Sequence, residues 1–303
     1  MRTIEEQISY NKKKTIFFLF LFMLLFVGVG FLIGIGFESI LFGVITMMVI
    51  FVVVFFFSYY TGHNVIARLT GARPVTKEEE PYLYHILEAV ALGAGIPVPK
   101  GYVIETDVPN AFAAGRNPEK SIVGVTRGLL DRLDRAETEA VIAHEISHIK
   151  NYDILVATIA TVLSGVILLV SKSLRYSVYF GGAGSRRRSS GRGGGGGLML
   201  LILLLVSIIA PLFAKALKYA ISREREYLAD VSAADLTNHP ESLASALEKI
   251  SGLQTEEDDK LSNEGVSGLF IVNPMMKMSG DSKLKFFSTH PSVEERIKIL
   301  RNI

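Results

Sequence analysis

The chain has 303 residues, of which 49% are hydrophobic, and its mean hydropathy of +0.36 is higher than soluble proteins usually have. Its 32 Lys and Arg residues nearly balance its 30 Asp and Glu residues, and a formal charge of only +2 excludes a protein that binds nucleic acid through its overall charge. Because the sequence contains no cysteine, it excludes disulfides, iron–sulfur clusters, thiolate zinc sites and a cysteine nucleophile, so any metal ion must be bound by His, Asp or Glu.

Two long uncharged runs, residues 15–36 and 39–60, stand near the start of the sequence. Each has about the 20 residues that a helix needs to cross roughly 30 Å of hydrocarbon. We therefore predict an N-terminal transmembrane hairpin over residues 1–60. The first run could be taken for a secretory signal, but it is longer than the usual apolar region of a signal and no small-residue cleavage site follows it, so we expect an uncleaved anchor.

Residues 61–153 have the composition of a compact domain outside the membrane. Turn residues bound two short stretches rich in β-forming residues, which predicts a small sheet. A capping-box pair, Asp134 and Glu137, marks the start of a helix. The predicted elements in chain order are a helix over 78–92, strands over 101–105 and 121–126, a short helix over 127–132, and the helix that begins after Asp134.

That last helix contains the sequence His144-Glu145-Ile-Ser-His148. The two histidines are one turn apart on the same face, so their ring nitrogens can converge on one zinc ion at about 2.0 to 2.1 Å. Glu145 can accept a proton from a water molecule at the open coordination position. We interpret the motif as a catalytic zinc site in a cleft, and a chance occurrence is the alternative. The other side of the helix would pack on the domain through Ile142, Ile146 and Ile149.

Two further apolar runs, residues 154–171 and 198–214, predict a second transmembrane hairpin over 154–217. Both runs are slightly short for a perpendicular span, and a buried hairpin of a soluble domain is the alternative for the first of them. Between them, the Arg/Gly-rich loop 172–197 predicts a flexible linker. A phosphate-binding loop is a disfavoured alternative, because the Lys-Ser/Thr of that motif is missing. A nucleic-acid-binding segment is also disfavoured, because no aromatic residue lies among the arginines.

Basic residues beside the apolar runs predict the orientation, since Lys and Arg resist translocation. With four spans, most of these basic flanks fall on one side of the membrane and the Arg/Gly-rich loop falls on the other. The flanks on the majority side are Arg2, residues 12–14, Arg68, Arg73, Lys215, Lys218, Arg223 and Arg225.

Two histidines need a third protein ligand to complete a catalytic zinc site. The extended motif with a third histidine fails, because Asn151 and Ile154 stand where glycine and histidine would be. A distant glutamate is the natural alternative. The segment around residue 226 has helical character, and Glu226 can bind zinc while Asp230, four residues later, accepts the second N–H of a ligand histidine. An exposed helix face with alternating charges is the other interpretation.

The His144–His148 motif and the sequence Glu226-Tyr-Leu-Ala-Asp230, with apolar runs around both, resemble the HtpX family of membrane-bound zinc metalloproteases, M48 peptidases that are prokaryotic relatives of the Ste24 prenyl-protein proteases. The resemblance covers nearly the whole chain. It implies a zinc peptidase with ligands His144, His148 and Glu226 and with Glu145 as general base. It also implies a catalytic domain on the cytoplasmic side and a role in quality control of membrane proteins and in stress response.

Two more groups of residues fit a peptidase. Asn110 and Ala111, beside the predicted sheet, could present a strand edge to an extended substrate, or form an ordinary surface turn. His290 and Arg296 belong to a C-terminal segment that resembles a family motif, and either could approach the oxyanion of the tetrahedral intermediate. A helix cap with a surface histidine is the alternative for this segment.

These observations together predict a mainly α, polytopic membrane protein with a zincin-like (gluzincin) catalytic domain that contains a small β-sheet. Residues 218–303 would complete the catalytic domain. The expected function is zinc-dependent hydrolysis of membrane or membrane-proximal proteins at the plasma or inner membrane, with one Zn²⁺ per chain, polypeptides and the lipid bilayer as partners, and no nucleic acid. The competing classes are a non-catalytic scaffold with a structural zinc and a nucleic-acid-binding membrane protein.

Overall fold

The computed structural model describes residues 4–36, 38–176, 223–253, 266–272 and 291–303. The predicted apolar run 198–214, most of the Arg/Gly-rich loop and His290 lie outside the described residues. The described part is mostly helical and contains one small mixed sheet, which confirms these two features of the predicted fold class.

Two long apolar helices, α1 (Ile4–Gly36) and α2 (Ile40–Thr70), pack against each other. Small residues permit the close approach, since a Cβ on Gly43 would collide with the backbone of Gly30. Among the described residues, α2 alone is long and apolar enough to cross a membrane as a single helix, with a mean hydropathy of 3.1 in its most apolar stretch. Within α1, the apolar stretch among the described side chains is Leu19–Ile35. The set of four spans therefore stays a prediction.

In the described parts of the chain, four short strands form the sheet, in the order β1-β2-β4-β3. β2 and β4 are parallel, and the other two pairs are antiparallel, so β3 lies at an edge. Gly124 in β4 leaves room for the ring of Phe112 in β3, which a Cβ at position 124 would overlap. The strands are β1 (Arg73–Pro74), β2 (Lys100–Ile104), β3 (Ala111–Gly115) and β4 (Ser121–Thr126). The sheet is thus larger than the two strands that the sequence predicted.

The described helices after α2 are α3 (Pro81–Ala94), α4 (Arg127–Arg132), α5 (Arg135–Lys150), α6 (Asp153–Tyr176), α7 (Arg223–Thr237), α8 (Pro240–Gly252) and α9 (Val293–Leu300). The core forms around α5, whose side chains are buried on nearly all sides. Burial therefore extends further around this helix than the predicted isoleucine stripe, because the sheet and the helices α3, α7 and α8 all contact it.

A sharp turn connects α5 to α6. Tyr152 has a φ of 59°, which is in the left-handed region, and the axes of the two helices differ in direction by 86°. The segments Arg135–Lys150 and Asp153–Val166 of this bent pair together have the length and composition of a broken span. The first half of α6 packs against α2 and the sheet, where the Gly115 N–H donates to Thr158 Oγ1 at 2.9 Å.

Candidate active site

The first turn of α5 fixes the position of the helix that contains the predicted zinc motif. Glu137 N–H donates to Asp134 Oδ1 and Asp134 N–H donates to Glu137 Oε2, each at 2.9 Å, so the predicted capping box is observed. Glu137 also accepts hydrogen bonds from Ser245 at 2.6 Å and Lys249 at 2.7 Å, both on α8. The helix therefore begins at a well-anchored point.

Three side chains converge at the buried end of α5. The Nε2 atoms of His144 and His148 are 3.2 Å apart, and the carboxylate oxygens of Glu226 on α7 lie 3.7 Å from the first and 3.6 Å from the second. Donors held about 2.0 to 2.1 Å from a tetrahedral zinc ion would be separated by roughly 3.3 Å. The spacing of these three side chains therefore fits a single zinc ion, and all their ligand atoms lie within 4.8 Å of one another.

A buried acid–base pair lies behind His144. The Nδ1 atom of His144 is 3.0 Å from Asp230 Oδ1. Arg296 on α9 donates two hydrogen bonds to the same carboxylate, from Nε at 2.8 Å and from Nη2 at 2.6 Å. Its Nη1 donates to the carbonyl of Ile271 at 2.8 Å. The structure thus brings Glu226 and Asp230 to the histidines in the arrangement that the i, i+4 spacing requires.

The charges at this site shift several pKa values. Burial alone would raise the pKa of Asp230, but the adjacent Arg296 holds it at about 2. Burial would lower the pKa of His144, whereas its contacts with Asp230 and Glu226 raise it to about 9. Burial, the dominant cause, raises the pKa of Glu145 above the ordinary value for glutamate. The negative charge around His144 favours a cation at this position, and Glu145 has the environment of a proton-transferring carboxyl group.

A second carboxylate, which the sequence did not indicate, contacts the other histidine. Asp153 Oδ2 lies 3.0 Å from His148 Nδ1, and Asp153 Oδ1 accepts a hydrogen bond from Arg225 Nη1 at 3.0 Å. In sequence, Asp153 only marked the end of the soluble segment. The five-residue separation from His148 was the available signal, but the contact depends on the sharp turn at Tyr152, which no local pattern predicted.

A small cavity of about 40 Å³ opens beside these side chains. Glu145, His144, His148 and Glu226 line one part of it. The other part is mainly apolar and is formed by the edge strand, the start of α6 and a short segment over residues 266–272; it includes Ala113, Ile154, Ala157, Gly268, Leu269 and Ile271. The candidate metal ligands therefore lie in the polar part of a cavity whose other wall is mainly apolar.

Among the described residues no strand pairs with the outer edge of β3, and Ala113 of this strand lines the cavity. The backbone C=O of residue 110 accepts a hydrogen bond from Thr126 of β4. Because alternate residues of a strand direct their N–H and C=O groups to opposite sides, these groups of residues 111, 113 and 115 point away from β4. Ala111 C=O accepts from the N–H of Ile271 at 3.0 Å, and the Gly115 N–H is used by Thr158. Among the described residues this leaves Ala113, which lines the cavity, as the position on this edge whose N–H and C=O have no hydrogen-bond partner.

The other predicted contact residues have partners within the fold. Asn110 is fully buried; its Nδ2 donates to the carbonyl of Val272 at 2.8 Å, and its Oδ1 accepts from the N–H of Ala111 at 3.1 Å. Arg296 is also fully buried, behind His144 rather than on the cavity wall. A direct contact of Asn110, Ala111, His290 or Arg296 with substrate stays a prediction.

Comparisons with known proteins give the class and the family of this chain. A family model described as Peptidase family M48 matches residues 77–303. The chain belongs to this family, which confirms the resemblance recognised in the sequence.

Similar proteins cover almost the whole chain. A protease HtpX homolog of Dictyoglomus thermophilum is 46% identical over 302 residues, which are 99% of this chain and 94% of that protein. Another, from Pyrococcus furiosus, is 44% identical over 279 residues, covering 92% and 91%. The crystal structure of S. mikatae Ste24p matches with a TM-score of 0.52 at 20% identity; the match covers 97% of this chain but 66% of that one, and it supports the fold alone.

Proposed function

We propose that the protein is a zinc-dependent endopeptidase of the membrane that hydrolyses peptide bonds in membrane or membrane-proximal, misfolded proteins as part of protein quality control. The observation that carries this proposal is the convergence of His144, His148 and Glu226 beside the buried Glu145. Two imidazoles and one carboxylate, with no thiolate, are typical ligands of a catalytic zinc ion. Membership of Peptidase family M48 supports the proteolytic activity.

Glu145 performs the proton transfers in the proposed mechanism. Zinc, when bound, supplies the Lewis acidity that makes a water molecule acidic and polarises the substrate carbonyl. Glu145 accepts a proton from the water as the water oxygen bonds to the carbonyl carbon. It then donates that proton to the nitrogen of the leaving amine as the C–N bond breaks. Glu145 lies in the cavity beside the three candidate ligands, which places its carboxylate within reach of both proton transfers.

Substrate binding is proposed to use the edge of β3. An extended peptide could pair with the N–H and C=O of Ala113 and so form an additional strand beside the cavity. This places the peptide next to Glu145 and the three metal ligands. The apolar part of the cavity wall would then receive its side chains.

The membrane arrangement is proposed from the apolar runs together with the basic flanks. The polytopic protein has an N-terminal hairpin over 1–60, a second hairpin over 154–217, and a gluzincin-type catalytic domain made of residues 61–153 and 218–303. The active site faces the cytoplasm of the cell. In support, α2 is a candidate span that leads into the catalytic domain, and α6 begins directly beside the metal ligands.

Replacing Glu145 by glutamine tests the mechanism. The full chain, purified in detergent, should keep its zinc but lose cleavage of a model polypeptide, because the amide cannot accept the proton of the water. Glu139→Gln is the matched control, since Glu139 is on the same helix but does not line the cavity, and it should cleave like the unmodified protein.

The outcomes separate the competing functions. Cleavage retained in Glu145→Gln at the unmodified rate contradicts the proposed role of Glu145. Zinc binding without any chelator-sensitive proteolysis by the unmodified protein would favour a non-catalytic scaffold with a structural zinc.

A further inference from the structure

Asp153, the first residue of α6, contacts the metal site and a buried arginine at the same time. Its Oδ2 is 3.0 Å from His148 Nδ1, while its Oδ1 accepts from Arg225 Nη1 at 3.0 Å. Arg225 directly precedes Glu226 on α7. The carboxylate of Asp153 therefore connects two of the three candidate ligands, one through a hydrogen bond and the other through its neighbour in the chain.

Three helices meet at this carboxylate, and each contributes one group. α5 supplies His148, α6 supplies Asp153, and α7 supplies Arg225. The left-handed turn at Tyr152 and the 86° bend between α5 and α6 return the Asp153 side chain to the histidine five residues before it. The position of α6 is thus coupled to the geometry of the ligands.

The Asp153–Arg225 ion pair lies in the interior, with side chains 7% and 8% exposed. Removing two charges from water is costly, and a buried ion pair often contributes little more to stability than well-packed apolar residues would. A contribution to overall stability is therefore a weak explanation for this pair. Its connection to two ligands favours a role in placing them.

We propose that Asp153 and Arg225 are positioning residues of the metal site. Asp153 accepts the N–H at Nδ1 of His148, which directs the lone pair on Nε2 towards the metal ion and fixes the rotation of the ring. Arg225 holds Asp153 in place and fixes the start of α7, and with it Glu226. Metal binding and the docking of α6 are consequently coupled. This inference rests on the proposed zinc site.

Zinc affinity of the full chain in detergent, measured by competition with a chelator, tests the proposal. Asp153→Asn should bind zinc about 10- to 100-fold more weakly, which is the range for loss of a residue that orients a metal ligand. Activity of this variant should recover as zinc is added. The control is Lys249→Met, which breaks another ion pair of a buried carboxylate, that of Glu137, away from the metal site and should leave the affinity unchanged.

Arg225→Met separates positioning from charge. If Arg225 acted only through its charge, its removal would leave the negative Asp153 next to the metal site and zinc would bind more tightly. Positioning predicts weaker binding instead. Arg225→Lys, which keeps a cation able to reach Asp153, should bind zinc more tightly than Arg225→Met does.

The proposal is overturned if Asp153→Asn binds zinc like the unmodified protein, if Arg225→Met binds it more tightly, or if Lys249→Met weakens binding as much as Asp153→Asn. These results differ from a failure of the proposed function, in which the unmodified protein itself would bind no zinc.

Discussion

Two carboxylates contact the two histidines of the site in the same way. Asp230 contacts Nδ1 of His144 and Asp153 contacts Nδ1 of His148, each at 3.0 Å. Each of these acids is paired with a buried arginine, Arg296 or Arg225. The Nε2 atoms of both rings consequently point to the same place, and this place is also where the Glu226 carboxylate lies.

Replacement of Glu226 by alanine tests the third ligand. The variant should lose most of the zinc that the unmodified protein keeps through purification, because two imidazoles alone hold the ion weakly. Zinc per chain, measured by elemental analysis, gives the result. Glu224→Ala is the control, since Glu224 is exposed on the same helix. Equal zinc content in the two variants would point to a different ligand.

Arg296→Met should reduce the free energy of unfolding by about 3–5 kcal/mol, because it leaves the charge of Asp230 buried without its cation. Denaturant unfolding in detergent measures this change. Arg301→Met removes an exposed arginine with its own ion pairs one turn further on and should have a much smaller effect. Similar effects of the two substitutions would show that the buried pair has no special contribution.

Sequence patterns predicted those features of the helices and strands that depend on residues close together in the chain. The capping box of Asp134 and Glu137 marked the start of α5, and the spacing of His144 and His148 placed them on one face. α3 begins at Pro81 instead of 78, since proline fits the first turn of a helix. Glu226 is far from the histidines in sequence, and its assignment needed the family resemblance as well as the spacing to Asp230.

The contacts that escaped sequence analysis all depend on how elements pack. Asp153 reaches His148 only because the chain turns sharply at Tyr152. Arg225 pairs with it across 72 residues. The edge position of β3 depends on the strand order, which short apolar stretches do not encode. The buried hydrogen bond from Asn110 to the carbonyl of Val272 depends on a segment 162 residues away.

Ala113→Pro tests the role of the β3 edge. Proline removes the N–H that points away from β4 but no N–H that bonds to β4, so the strand should persist. Cleavage of an extended peptide should fall about tenfold, which corresponds to the net contribution of one hydrogen bond, while zinc content stays the same. Unchanged kcat/KM would exclude pairing of the substrate at this residue, and a loss of zinc would indicate damage to the fold.

For the whole molecule, the described helices place the metal site next to apolar segments. α2 has the properties of a membrane span, and α6 begins beside His148 and packs against α2. This neighbourhood agrees with a peptidase that acts on membrane-proximal chains. The fourth apolar run lies outside the described residues, so the topology needs its own experiment.

A reporter inserted within residues 191–197 tests the four-span topology. With four spans, these residues of the Arg/Gly-rich loop lie on the side of the membrane opposite to the catalytic domain. A reporter that is active only outside the cytoplasm should therefore give a signal there, and a second insertion at the C-terminus should give none. Activity of a cytoplasmic reporter at residues 191–197 would contradict four spans.

Proteolysis by this chain is proposed to depend on one zinc ion. The most direct test is to remove metal from the purified full-length protein with a chelator and then titrate Zn²⁺ while cleavage of a model polypeptide is followed. Activity should disappear on removal and return in proportion to zinc, reaching its plateau at one ion per chain, since the part of the chain that the structure describes contains one group of candidate ligands. Cleavage that continues after the metal has been removed would contradict the claim.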